Sequence, residues 1–153
     1  MISTPEIVEV PARKAAAVHV TVDRSHIRLV MGPAIREIYQ CLAAQNVTPA
    51  GPWLTLHHRI TDTEFDFDAC VPVSASVLSV GRVRQIELPA ARCASAVHSG
   101  AYEGLAGAWG ELHQWMREHG HSAATWLYET YLTGPESSED SAQWRTELRR
   151  PLL

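Results

Sequence analysis

Glu9 to His19 reads EVPARKAAAVH, and Glu87 to His98 reads ELPAARCASAVH. The likeness marks a duplication. Each copy is followed by a helical pattern, then a Trp-Leu pair (Trp53-Leu54, Trp126-Leu127), then a strand-like segment that closes on a proline (Pro72, Pro151). Repeats over 5–73 and 83–153 predict two half-domains packed as pseudo-twofold partners, with a crevice at their seam suited to a small ligand.

Working outward, Ile7 to Val10, a turn at Pro11 and the Val/Ala-rich run Ala15 to Val22 read as two strands. Ile27, Met31, Ala34 or Ile35, Ile38 and Leu42 then recur at helical spacing. Gly32-Pro33 interrupts that pattern, so the regular helix is expected to begin near Pro33 and to stop at Asn46. Trp53 to Ile60 and Phe65 to Val73 form a predicted hairpin around Thr61 to Glu64. Phe65, Phe67 and Ala69 alternate with Asp66, Asp68 and Cys70, which predicts one apolar and one wet face.

Ser74 to Gly81 reads as the linker. In the second half, Val83 to Leu88 and Arg92 to His98 are strands joined around Pro89. A helix follows over Tyr102 to His119, its stripe Leu105, Trp109, Leu112, Trp115 and Met116 ending at Gly120. Thr125 to Leu132 and Gln143 to Leu148 are the last strands. The expected class is α+β: a ββαββ-type half-domain used twice, antiparallel sheets with helices on one face, and a central ligand cleft.

Bulk properties narrow the function. The 153 residues suit one domain, and 46% apolar with 20% charged residues is a globular composition. A net charge of -4 disfavours nucleic acid and anionic membranes. Arg145, Arg149 and Arg150 read as a solvated strand face. Cys41, Cys70 and Cys93 are widely spaced and lack a CxxC pattern, so reduced buried thiols and a cytoplasmic setting are expected. No signal peptide or membrane span is apparent. Adjacent His57 and His58 point to opposite faces of a strand, and His113, His119 and His121 lack a helical metal-pair spacing. No metal, cofactor, P-loop, Rossmann fingerprint or nucleophile elbow is therefore expected.

The run LPAARCASAVHSGAYEGLAGAWGELHQWMREHG, then WLYETYLTGPE and TELRRPL, resembles the GyrI-like small-molecule-binding domain. In the first half, EVPARKAAAVHV and FDFDACVPV stand in the corresponding places. That family comprises the effector-binding domain of multidrug-responsive transcription activators and a stand-alone gyrase-inhibitory protein. The resemblance implies a duplicated ββαββ-type fold with a central cleft. The family's Gly-Pro-Tyr is Gly100-Ala101-Tyr102 here, without the proline. Its buried acid falls on Glu129. No helix-turn-helix precedes the domain, so a stand-alone protein is expected.

Strand alternation groups Leu127, Glu129 and Tyr131 on one face. Aligning the Trp-Leu pairs makes Leu54, Leu56 and His58 their counterparts. A carboxylate among apolar and aromatic walls costs several kcal/mol to desolvate, roughly, unless a proton or cation compensates it. Planar, lipophilic, often cationic ligands follow. Tyr102 directs its hydroxyl at ligand or caps the core; Trp109 belongs to the core stripe and to the candidate lining. Trp53 and Trp126 line the cleft mouth or plug the sheet ends, and Tyr39 is a further candidate contact. Three readings stand: binding of xenobiotics for sensing or sequestration; hydrolysis of reactive electrophilic natural products with Glu129 as base and Tyr102 as donor; and a protein-interaction module for gyrase or a regulator.

Overall fold

A computed structural model of the chain describes residues 2–153, and every side chain among them except that of Arg28. The strands and helices run β1 (Glu6–Val10), β2 (Arg13–Asp23), α1 (Ile27–Ala44), β3 (Leu54–Ile60), β4 (Glu64–Pro72), β5 (Arg84–Leu88), β6 (Ala91–Ser99), α2 (Leu105–Glu118), β7 (Leu127–Thr133) and β8 (Arg145–Pro151). The fold is α+β, with antiparallel pairing throughout these strands. Two compact units divide the chain: an N-terminal unit, Pro11–Ala90, and a C-terminal unit, Met1–Val10 with Ala91–Leu153.

Among the described residues, each unit holds four strands and one α-helix. The N-terminal unit has the order β3-β4-β2-β5, and the C-terminal unit β1-β6-β8-β7. The strand that opens each repeat thus pairs outside that repeat: β1 with β6, and β5 with β2. The connections explain this. Pro11-Ala12 and Pro89-Ala90 have the length of a tight hairpin loop, but such loops need φ > 0 and proline holds φ near about −65°. None of the four residues has positive φ. The chain therefore crosses between units instead of folding back.

Within the N-terminal unit, Ala34, Ile38, Cys41 and Leu42 of α1 bury against Ala16, Val18 and Val20 of β2 and Phe67, Ala69 and Val71 of β4. In the C-terminal unit, Ala108, Trp109, Leu112 and Met116 of α2 bury against Ala94, Ala96, Leu127 and Leu148. The alanines on β2 and β6 leave room for the helix to lie close to its sheet. Burying a side chain such as Ile38 or Leu112 contributes about 1.5–3 kcal/mol. The two helices also end alike. Asn46 (φ 55°) and Gly120 (φ 73°) are both left-handed, and the next amides, of Val47 and His121, return to Leu42 O and Met116 O at 2.9 and 2.8 Å.

Two sequence expectations change. Helix α1 starts at Ile27, with Pro33 inside it. The carbonyl that loses its donor belongs to Leu29, whose side chain is exposed, while Ile27, Val30 and Met31 pack on the core and hold the first turns. The Asp66–Cys70 face of β4 is also not wet: Asp68 and Cys70 are 3% and 0% exposed. Asp68 is instead covered by histidines from the flanking strands.

Register shows how the repeats correspond. Ala15 lies opposite Pro72, and Cys93 opposite Pro151. The repeats therefore align without a gap from Glu9 and Glu87 onward. The shared Val-His at the end of the two quoted stretches is out of step by one residue: His19 corresponds to Val97, and His98 to Val20. His19 turns away from α1 toward Asp68, whereas His98 sits beneath α2, its Nε2 3.0 Å from Ala101 O.

Candidate functional site

The Trp-Leu pairs are out of step in the same way. Thr55 lies opposite Ala69, and Glu129 opposite Leu148. Both partners stand three residues before the closing proline, so Glu129 corresponds to Thr55. Leu127, Glu129 and Tyr131 therefore face the helix of their unit. Leu54 and Leu56, in register with Cys70 and Asp68, occupy the face turned from α1. They are not the counterparts of the Glu129 face. His58 is the extra residue of a bulge between His57 and Arg59.

Glu129 is the centre of an aromatic cluster in the C-terminal unit. Its Oε1 accepts the indole N–H of Trp109 at 2.7 Å, and its Oε2 accepts the Tyr131 hydroxyl at 2.6 Å. Charge-assisted bonds of this length are roughly twice as strong as neutral ones. Trp109 is delivered by the apolar stripe of α2 and is 8% exposed. It is both a core residue and a partner of the acid. Tyr131 meets Tyr102 edge-on at 5.8 Å, and Tyr102 packs on Trp144 at 4.9 Å. Burial, then the negative charges of Glu136 and Glu129, raise the Tyr102 hydroxyl above its ordinary pKa. The group remains a protonated donor at neutral pH.

The other sequence candidates are dispersed. Trp53 packs against the α1 core, and Trp126 meets Tyr128 edge-on at 5.3 Å. Tyr39 is on an exposed side of α1. Trp144 escaped the sequence reading. It stands just before β8 with its Nε1 bonded to Ser138 O at 2.8 Å, and no periodic pattern flags a residue in such a loop.

The reading also missed a cluster in the N-terminal unit. His19 Nδ1 and His58 Nε2 lie 3.0 and 2.8 Å from the two oxygens of Asp68. The ligand atoms of these three residues fall within 4.8 Å of one another. Strand pairing supplies the signal that could have found it, since His19 and Asp68 are 49 residues apart.

A family model for the GyrI-like small molecule binding domain matches residues 3–153. The chain belongs to this family. No curated protein matches the sequence. Among solved structures, the GyrI-like chain is similar to the EcmrR C-terminal domain (TM-score 0.87, 23% identity, covering 98% of this chain and 97% of that one). It is similar to EcmrR in a cryo-EM structure of its DNA complex (TM-score 0.86, 23% identity, 97% of this chain) and spans 57% of that chain. SAV2435, solved bound to tetraphenylphosphonium, shares the fold at 14% identity (TM-score 0.73, covering 99% of this chain and 94% of that one). None of the described helices is long and apolar enough to cross a membrane.

Proposed function

We propose that this GyrI-like domain binds lipophilic, planar or cationic aromatic molecules at the Glu129 cluster, for sensing or sequestration. One observation carries the reading. The half-buried Glu129 carboxylate is held by two neutral donors, an indole and a phenol, and forms no ion pair among the described residues. It stands in an aromatic setting with no cationic side chain bonded to it among the described residues. An organic cation supplies the missing counter-charge, and the faces of Tyr102, Tyr131 and Trp144 add roughly 0.5–2 kcal/mol of cation–π attraction each where a ligand reaches them. The tetraphenylphosphonium bound to SAV2435 is a ligand of this chemistry.

The test is tetraphenylphosphonium titration followed by tryptophan fluorescence. Saturable quenching is expected, with affinity at least tenfold weaker in Glu129→Gln. Equal affinity in that variant removes the carboxylate from the site.

The place of Tyr102 in the cluster, edge-on to the Tyr131 that bonds Glu129, favours a second reading, hydrolysis of a reactive electrophile. A hydroxyl that stays protonated beside a carboxylate base pairs a donor for the leaving oxygen with an acceptor for water's proton. Turnover of an electrophilic, cyclopropane-bearing aromatic that is lost in Tyr102→Phe, with binding retained, supports it. Absence of turnover in the unaltered protein leaves binding alone.

A further inference from the structure

We propose that His19, His58 and Asp68 form a binding site for a divalent transition metal of the zinc class. The three ligands come from adjacent strands of the N-terminal unit. Asp68 is on β4, His19 opposite it on β2, and His58 is swung into place by the β3 bulge. Asp68 presents different oxygens to each ring, at 3.0 Å from His19 Nδ1 and 2.8 Å from His58 Nε2. Metal–ligand bonds of about 2.0–2.2 Å at tetrahedral angles set donor atoms a little over 3 Å apart, so a slight opening of the cluster admits an ion. Two imidazoles and a carboxylate suit zinc and its neighbours, and three protein ligands leave a fourth position for water or another donor.

The surroundings also fit. His19 Nε2 lies 3.0 Å from Asp66 Oδ1, a buried oxygen that accepts no well-aligned hydrogen bond from it or from any other described residue. With Nδ1 on the metal the ring proton is carried on Nε2, and a small turn of the ring aims it at that oxygen. This is the carboxylate–histidine–metal arrangement that fixes a ligand's tautomer and raises its basicity. Both histidine side chains are 43% exposed and give an ion a route in, while the Asp68 side chain is 4% exposed.

The fold itself does not require these residues. By register, Val97 and Glu147 stand in the other repeat where His19 and Asp68 stand here. Leu132, within the matching bulge of β7, takes the place of His58. One feature opposes the ion: Arg84 Nη2 lies 3.6 Å from Asp68 Oδ1. Its side chain is 52% exposed and must swing outward when metal enters.

The experiment is calorimetric titration of the chelator-treated full chain with zinc chloride, with cobalt(II) absorption as a reporter of tetrahedral geometry. One ion per chain is expected, with a rise in melting temperature. Affinity falls at least tenfold in His19→Gln and in His58→Gln, and rises at least threefold in Arg84→Gln, which keeps all three ligands. Lack of one-to-one binding overturns the proposal. So does binding that both histidine variants retain, because the ion is then held elsewhere, at surface histidines such as His119 and His121.

Discussion

The indole N–H of Trp109 donates to Oε1 of Glu129 across 2.7 Å, tying α2 to β7. A helix core residue and a strand carboxylate thereby form one unit. The consequence for stability is direct. Trp109→Phe deletes the donor and leaves a half-buried carboxylate with the Tyr131 hydroxyl alone. A hydrogen bond to a charged group contributes about 1.5–3 kcal/mol, and lost ring volume adds to the cost. We expect destabilisation of about 2–4 kcal/mol in urea denaturation. Trp109→Tyr is not expected to restore the bond, since its hydroxyl lies at a different reach.

His113 predicts a pH dependence. Its ring packs on Trp109 at 5.6 Å, and its Nε2 is buried with no hydrogen-bond partner among the described residues. Burial, then the charges of Arg150 and Arg117, lower its pKa below 6.5. The unfolded chain therefore binds more protons than the folded one just below pH 6.5, and stability rises with pH across that window. The contribution is complete above the unfolded pKa and is lost as pH falls toward the lower folded value. Melting temperatures from pH 7.5 down to about 5 are expected to fall less steeply in His113→Gln than in the unaltered protein.

Gly134 guards Tyr102. A Cβ at this position would stand 2.6 Å from the Tyr102 hydroxyl and 3.1 Å from Glu136 Oε2. Tyr102 is packed against Trp144 and Tyr131, so its ring has little freedom to withdraw. Gly134→Ala is expected to weaken tetraphenylphosphonium binding several-fold and to cost about 1–3 kcal/mol through overpacking. Chemical denaturation beside fluorescence titration separates the two effects.

The thiols should be silent in the native protein. Cys41, Cys70 and Cys93 are free and buried. Burial and the neighbouring Asp68 charge raise Cys70 strongly, and burial raises Cys93 to about 11. The reactive species is the thiolate. A disulfide reagent at pH 8 is therefore expected to label Cys70 and Cys93 only at the rate of structural opening, and all three cysteines at once in guanidinium.

Much of the local structure was legible because it depends on neighbours in the chain. The stripe Leu105, Trp109, Leu112 and Met116 announces α2, and the alternation around Thr61 to Glu64 announces the β3–β4 hairpin. Asn46 and Gly120 mark helix ends that the backbone confirms. What failed was correspondence between the repeats. A shared Val-His and a shared Trp-Leu are short matches, and each is displaced by one position from the structural alignment. On a strand, one position is the difference between two faces.

Composition, helical and strand periodicity, and the repeated EVPARKAAAVH-like segment were enough to establish an α+β duplication, while Glu129 was singled out by the resemblance to the GyrI-like family. Those properties are written in adjacent residues. Register, the exchange of β1 and β5, the hold of Trp109 and Tyr131 on Glu129, and the meeting of His19, His58 and Asp68 were settled only in three dimensions. Each depends on which strand lies beside which, and on a bulge or a proline that redirects the chain, through contacts between residues far apart in sequence.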